Sequence, residues 1–122
     1  MPFQSILKAL IESVPGAMGA VFADYEGEAV DQVSRNGDSY HVKFMGAHYG
    51  ILLEATRRIS ATTKTGNPRS LTVKTEKLDY YTAPVHVDGY FVVLAVDAGF
   101  PPGRAYLALH RAIRSLRNEM GY

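Results

Sequence analysis

Apolar residues open the chain at helical spacing. Phe3, Ile6, Leu7, Leu10, Ile11 and Val14 recur at intervals of three and four, which puts them on one helix face about 140° wide. Pro15-Gly16 stops that helix, since proline cannot donate to it and glycine loosens it. Ala17–Asp24 is then an apolar run closed by a charge, the pattern of a buried strand. Tyr25-Glu26-Gly27 makes a turn, and Glu28–Val33 returns as a more polar second strand. The cluster Arg35-Asn36-Gly37-Asp38-Ser39 is a loop, with Asp38 or Ser39 placed to cap the next helix through a side-chain oxygen.

That helix is predicted from about Tyr40 to Ser60, ending before Thr62–Pro68, where Gly66-Asn67-Pro68 is a strong breaker. Ser70–Lys77 alternates Leu71, Val73 and Thr75 with Thr72, Lys74 and Glu76, as a half-exposed strand does. Leu78–Val87 and Tyr90–Asp97 are two further strands joined at Asp88-Gly89, a dipeptide suited to the positive φ angles of a tight hairpin turn. Pro84 cannot donate to a ladder, so a bulge or break is expected there. Pro101-Pro102 opens a last helix with Tyr106, Leu109, Ile113, Leu116 and Met120 on its apolar face. The order is helix, two strands, helix, three strands, helix. With hairpins joining strands 1–2, 3–4 and 4–5, this is an α+β domain with one mostly antiparallel five-stranded sheet. Strands 1 and 5 are the most apolar and are expected inside the sheet; strands 2 and 3 are expected at its edges.

The middle helix is too apolar for a helix that lies on a sheet. With Val42 at 0°, the residues Gly46, Leu53, Tyr49, Thr56, Met45, Leu52 and Ile59 span about +40° to −100°. His48, Ala55, Phe44, Ile51 and Ala47 continue a weakly polar surface round to about +140°. Only Arg57, Gly50, Lys43 and Glu54 form a polar strip, with His41 and Arg58 as the main interruptions elsewhere. A stripe of about 100° suffices against a sheet. The excess is covered either by a third layer within the chain or by another subunit. Three helices and one sheet leave little material for a third layer, which favours the subunit. Strand 3 adds to this, because a half-exposed edge is a template for pairing with a second copy; alternatively Lys74 and Lys77 simply protect it.

The chain has 122 residues, the size of one domain, taken as 1–122. Its 47% hydrophobic and 20% charged residues are those of a globular protein. Net charge is +1, divided as −2 over residues 1–61 and +3 over residues 62–122. That is no basis for nucleic-acid binding. Cysteine is absent, which excludes disulfides and thiol chemistry. The longest apolar runs, Ala17–Ala23 and Tyr90–Val96, fall far short of the roughly 20 residues of a membrane span. The N-terminus lacks a signal-peptide pattern, so a cytoplasmic location is the expectation.

Catalytic signatures are missing. His41 and His48 lie about 10 Å apart along one helix and cannot share a zinc ion. No HExxH, phosphate-loop or nucleophile-elbow motif occurs. Asp24, Glu26, Glu28 and Asp31 read as solvated acids about the first hairpin, and a hydrolase built on His86 or His110 finds no partner at a supporting spacing. Arg111, Arg114 and Arg117, with Arg104 upstream, suit the C-terminal half of a helix; an anion site is the alternative. No metal or cofactor is expected.

The chain resembles the Roadblock/LC7 family, including its gliding-regulator (MglB-like) and Ragulator-type members. The similarity spans the whole chain. It is carried by PGAMGAVFADYEGEAV with the D-x-x-G of Asp24–Gly27, by the long middle helix, by YFVVLAVD, and by GRAYLALHRAIRSL. The double proline at 101–102 departs from the family pattern, and no tail follows the last helix as it does in some gliding regulators. The resemblance implies the sheet order 2-1-5-4-3 of the profilin-like architecture and a homodimer formed through the middle helix and strand 3. It also implies binding to a small Ras-like GTPase, or a dynein light chain-like or scaffold role, with no active site of its own; some members stimulate hydrolysis by repositioning the GTPase's own residues. On geometry, Val42, Met45, Tyr49, Leu52, Thr56, Leu71 and Val73 are assigned to the dimer or sheet interface, with the face of the middle helix that meets the sheet left open. The polar residues Lys43, Glu54, Arg57 and Arg58 are then left to face the partner. The competing reading is a small-molecule sensor of profilin or PAS type, with Tyr80, Tyr81, Tyr90 and Phe91 lining a pocket.

Overall fold

The computed structural model describes residues 2–86 and 89–122. The elements are α1 (Pro2–Glu12), β1 (Ala17–Asp24), β2 (Ala29–Ser34), α2 (Ser39–Thr63), β3 (Leu71–Lys74), β4 (Leu78–His86), β5 (Tyr90–Asp97) and α3 (Pro102–Met120). Every strand pair is antiparallel, in the order β2-β1-β5-β4-β3. The polar strands are the edges and the apolar ones lie inside, as their composition requires. Register shifts between Pro84 and His86, where proline interrupts the ladder. Val87 and Asp88, expected to end β4 and to turn the last hairpin, lie outside the described residues.

Alternation along the strands divides the core in two. Ala20, Phe22, Tyr81, Val92 and Leu94 point to one face, where α1 and α3 pack together. Val21, Ala23, Tyr80, Phe91 and Val93 point to the other, where α2 lies alone. α2 is the longest helix, at 25 residues. Its first turn is capped by the Asp38 carboxylate, which accepts the His41 backbone N–H at 3.1 Å. Its C-terminus ends at Lys64 in the left-handed conformation (φ 59°). At the close of α1, Arg35 donates from Nε to the Ala17 carbonyl at 2.8 Å and from Nη2 to the Val14 carbonyl at 3.2 Å and to that of Ile11. One guanidinium thus adds a second donor to the Ile11 and Val14 carbonyls, which also accept the backbone N–H groups of Val14 and Ala17, and ties the helix end to the start of β1.

Candidate interaction surface

Small residues bring α2 close to the sheet. A Cβ on Gly46 would meet Val21 Cγ1 at 3.0 Å, and one on Gly50 would meet Phe91 Cζ at 2.5 Å. At the same end of the sheet, the Asp24 carboxylate accepts the backbone N–H groups of Glu26 and Glu28 at 3.0 and 3.1 Å. Gly27 completes this turn at φ +88°, and a Cβ there would come within 3.2 Å of Ala47 Cα. The D-x-x-G segment is therefore a buttress for α2, with Asp24 acting as a turn-former.

This seating decides which face of α2 is inside. Val42, Met45 and Leu53 are 0%, 1% and 0% exposed, and Gly46 and Gly50 are buried with them. Of the residues assigned to the dimer or sheet interface, Val42 and Met45 lie against the chain's own sheet. Gly50, expected in the polar strip, lies under the Phe91 ring. On the opposite face Tyr40, Phe44, Ile51 and Ile59 are 77%, 51%, 63% and 65% exposed. Phe44 stacks on the His48 ring at 4.0 Å. Among the described residues, nothing covers this stripe. Covering what remains exposed of Phe44, Ile51 and Ile59 would contribute on the order of 1–2 kcal/mol each.

The remaining interface candidates lie along the flank between α2 and the β3 edge. Tyr49, Leu71 and Val73 are half-buried and pack against the α2-side core. Leu52 is 44% exposed. Thr56 is half-buried, its hydroxyl donating to the Leu52 carbonyl at 2.8 Å. Tyr49 and Tyr80 stack at 4.6 Å, and Tyr80 Oη sits 3.0 Å from His41 Nε2. Burial raises the pKa of both phenols, with Tyr80 adding to the rise at Tyr49, so both stay neutral. α2 packs chiefly over β1 and β2. One helix about 10 Å wide cannot roof five strands spaced about 4.8 Å apart, so the sheet face towards β3 is only partly covered.

The four polar candidates do not form one cluster. Arg57 Nη1 binds Glu54 at 2.8 Å, and Arg58 Nε is 4.0 Å from the same carboxylate. Arg57 also lies over the Tyr25 ring, 4.9 Å from its centroid. Lys43 stands about four turns away, beside a recess lined by Gly27, Glu28, Tyr40, Phe44 and His48. That end of the helix, with Tyr40 and Phe44, was not among the assigned interface residues. The signal for it was present: glycines at 46 and 50 on the Val42 side mark the face that must approach the sheet, which leaves the bulky residues for the other side.

The aromatic residues of a sensor pocket are dispersed. Tyr80 and Phe91 face α2, while Tyr81 and Tyr90 face the other core. Phe91 packs on Tyr25 at 5.5 Å and Tyr90 on Phe22 at 5.4 Å. His86 stacks on Tyr122 at 4.1 Å. His110 packs on Tyr106 at 4.2 Å with its Nε2 buried and without a partner among the described residues; burial lowers its pKa. Among the described residues, no group of three or more His, Asp or Glu is placed to hold a metal ion. No described helix is long and apolar enough to cross a membrane.

No family model and no curated protein matches the chain. Solved structures do. A Roadblock/LC7 domain from Streptomyces avermitilis superposes with a TM-score of 0.85 at 15% identity, over 97% of each chain. MglB of Myxococcus xanthus superposes at 0.87 and 12% identity, over 98% of this chain and 94% of its own. MglC of Myxococcus xanthus is 26% identical over 98% of this chain and 99% of its own, with a TM-score of 0.69.

Proposed function

We infer that this chain, which has the Roadblock/LC7 fold, is a non-catalytic homodimeric regulator or scaffold that binds a small Ras-like GTPase. The observation that carries the reading is the second apolar face of α2, with Tyr40, Phe44, Ile51 and Ile59 turned away from the sheet on which α2 packs. An uncovered stripe of this kind on a small domain marks a protein contact. A twofold copy laid against α2 and the β3 edge supplies the missing layer, and a pair of such helices presents a broad platform to a third protein. The family resemblance implies what that third protein is. Where such a regulator stimulates hydrolysis, the reacting groups belong to the GTPase and this chain only positions them, in keeping with its packed histidines and its turn-forming Asp24.

The test is light scattering with co-elution. The purified chain is expected at twice its 13.4 kDa mass at micromolar concentration. It is expected to co-elute with a Ras-like GTPase encoded beside it, in one of the two states loaded with GDP or a non-hydrolysable GTP analogue. Ile51→Asp is expected to leave the circular dichroism spectrum intact and abolish the dimer. A monomer that ignores both nucleotide states of the GTPase overturns the reading. Met45→Asp is no test of it, since a carboxylate there enters the monomer's own core.

A further inference from the structure

The opposite side of the molecule carries a second feature, which does not rest on the GTPase reading. α1 and α3 meet along a groove of about 370 Å³. Its floor is Ile6, Leu10 and Ala112, and its walls are short side chains such as Ala9 and Ser115. Arg111 stands on its rim. Arg104 and Arg114 are exposed on the same helix, about 10 Å and 4.5 Å along the axis from Arg111. Arg104 rests over the Phe100 ring at 5.2 Å. Among the described residues the ion pairs are Glu54 with Arg57 and Arg58, and Lys74 with Asp79. The arginines of this face are therefore left without a carboxylate, although Glu12 and Glu119 lie on the same two helices.

We propose that the α1–α3 groove docks an acidic amphipathic helical segment of a partner protein, its small apolar residues seated on the groove floor and its carboxylates paired with Arg104, Arg111 and Arg114. Shape selects a helix: short walls leave room for a third rod against two packed ones, and α1 offers about 16 Å of length, three turns. Charge selects the sign, because unpaired guanidiniums one heptad and one turn apart match carboxylates spaced along a single helix. A lipid surface fits poorly. Membrane-seeking helices project bulky apolar side chains from a convex face, whereas this face is concave and Leu107 is its one large exposed aliphatic, at 52%.

The experiment titrates the full chain into a labelled 14-residue peptide with Ala and Leu at heptad a and d positions and Glu beside them. A twin peptide with Lys for Glu is run in parallel, followed by fluorescence anisotropy. Saturable binding of the Glu peptide alone is expected, weakening in salt. Arg111→Glu with Arg114→Glu is expected to lower affinity by about tenfold or more. Ala9→Trp, which fills the groove from an exposed position, is expected to do the same, while Arg69→Glu, a charge reversal at an exposed position outside the groove, leaves binding unchanged; circular dichroism confirms that each variant is folded. No saturation by about 1 mM, equal binding of the Lys twin, or indifference to Ala9→Trp overturns the proposal. So does binding to phosphatidylserine vesicles in place of the peptide.

Discussion

A methyl group at position 50 has nowhere to go. Its ideal position is 2.5 Å from Phe91 Cζ, and Phe91 is fully buried between α2 and the sheet. Gly50→Ala is therefore expected to cost roughly 1–3 kcal/mol, despite alanine's better helix propensity, measured as a lower urea midpoint. Trimming the ring with Phe91→Leu in the same chain is expected to restore part of that loss, because the two sites are in contact. His110 makes a different claim. Its pKa is lowered by burial, so the folded state binds its proton less readily than the unfolded state does. The stability this confers is whole above the unfolded value of about 6.5 and is lost as pH falls through the folded one. His110→Leu removes both the titration and the orphaned Nε2. Thermal melts taken at steps between about pH 7 and pH 5 are expected to fall less steeply for this variant than for the parent chain. Equal slopes would show that other groups govern the acid limb.

At the level of elements, existence and order were legible, and orientation was legible only in part. The period-3.6 run of Phe3–Val14, the Asp38 cap and the alternation of Leu71 and Val73 each has one structural reading, and each is found. Pro84 announced its own ladder break. α2 was harder because both of its faces are greasy, and hydrophobicity alone cannot say which is inside. The deciding residues were Gly46 and Gly50, which carry no apolar side chain to count yet set the distance to Val21 and Phe91. Counted among the polar positions, Gly50 gives no hint of this, and hydropathy leaves open whether the face of Val42 and Met45 meets the sheet or a second copy. Arg35 was read only as part of a loop; its bonds to the Ile11, Val14 and Ala17 carbonyls join segments far apart in sequence, and no local pattern shows that. Arg35→Met is expected to lower stability by about 1–2 kcal/mol. It is also expected to speed amide exchange in the last turn of α1 ahead of the rest of the molecule. Uniform acceleration would mean that the clamp serves the whole fold and not the helix end.

For the whole molecule the question is how a single sheet with unequal roofs becomes stable. α1 and α3 close one face, while α2 covers the other and leaves the β3 side half-open, with Tyr49, Leu71 and Val73 only partly enclosed. The uncovered stripe at Phe44, Ile51 and Ile59 continues from that gap around the helix. If a second copy closes both, folding and association are one equilibrium, and stability depends on concentration by mass action. The melting temperature of the parent chain is then expected to rise by several degrees over a hundredfold increase in protein concentration, since a gain of about 1–3 kcal/mol shifts a domain of this size by that much. Ile51→Asp is expected to melt lower and at a temperature independent of concentration. A parent chain whose melting point is flat across the same range would mean that the open half of the sheet is stable as it stands, and that the outer face of α2 waits for a different protein rather than for its twin.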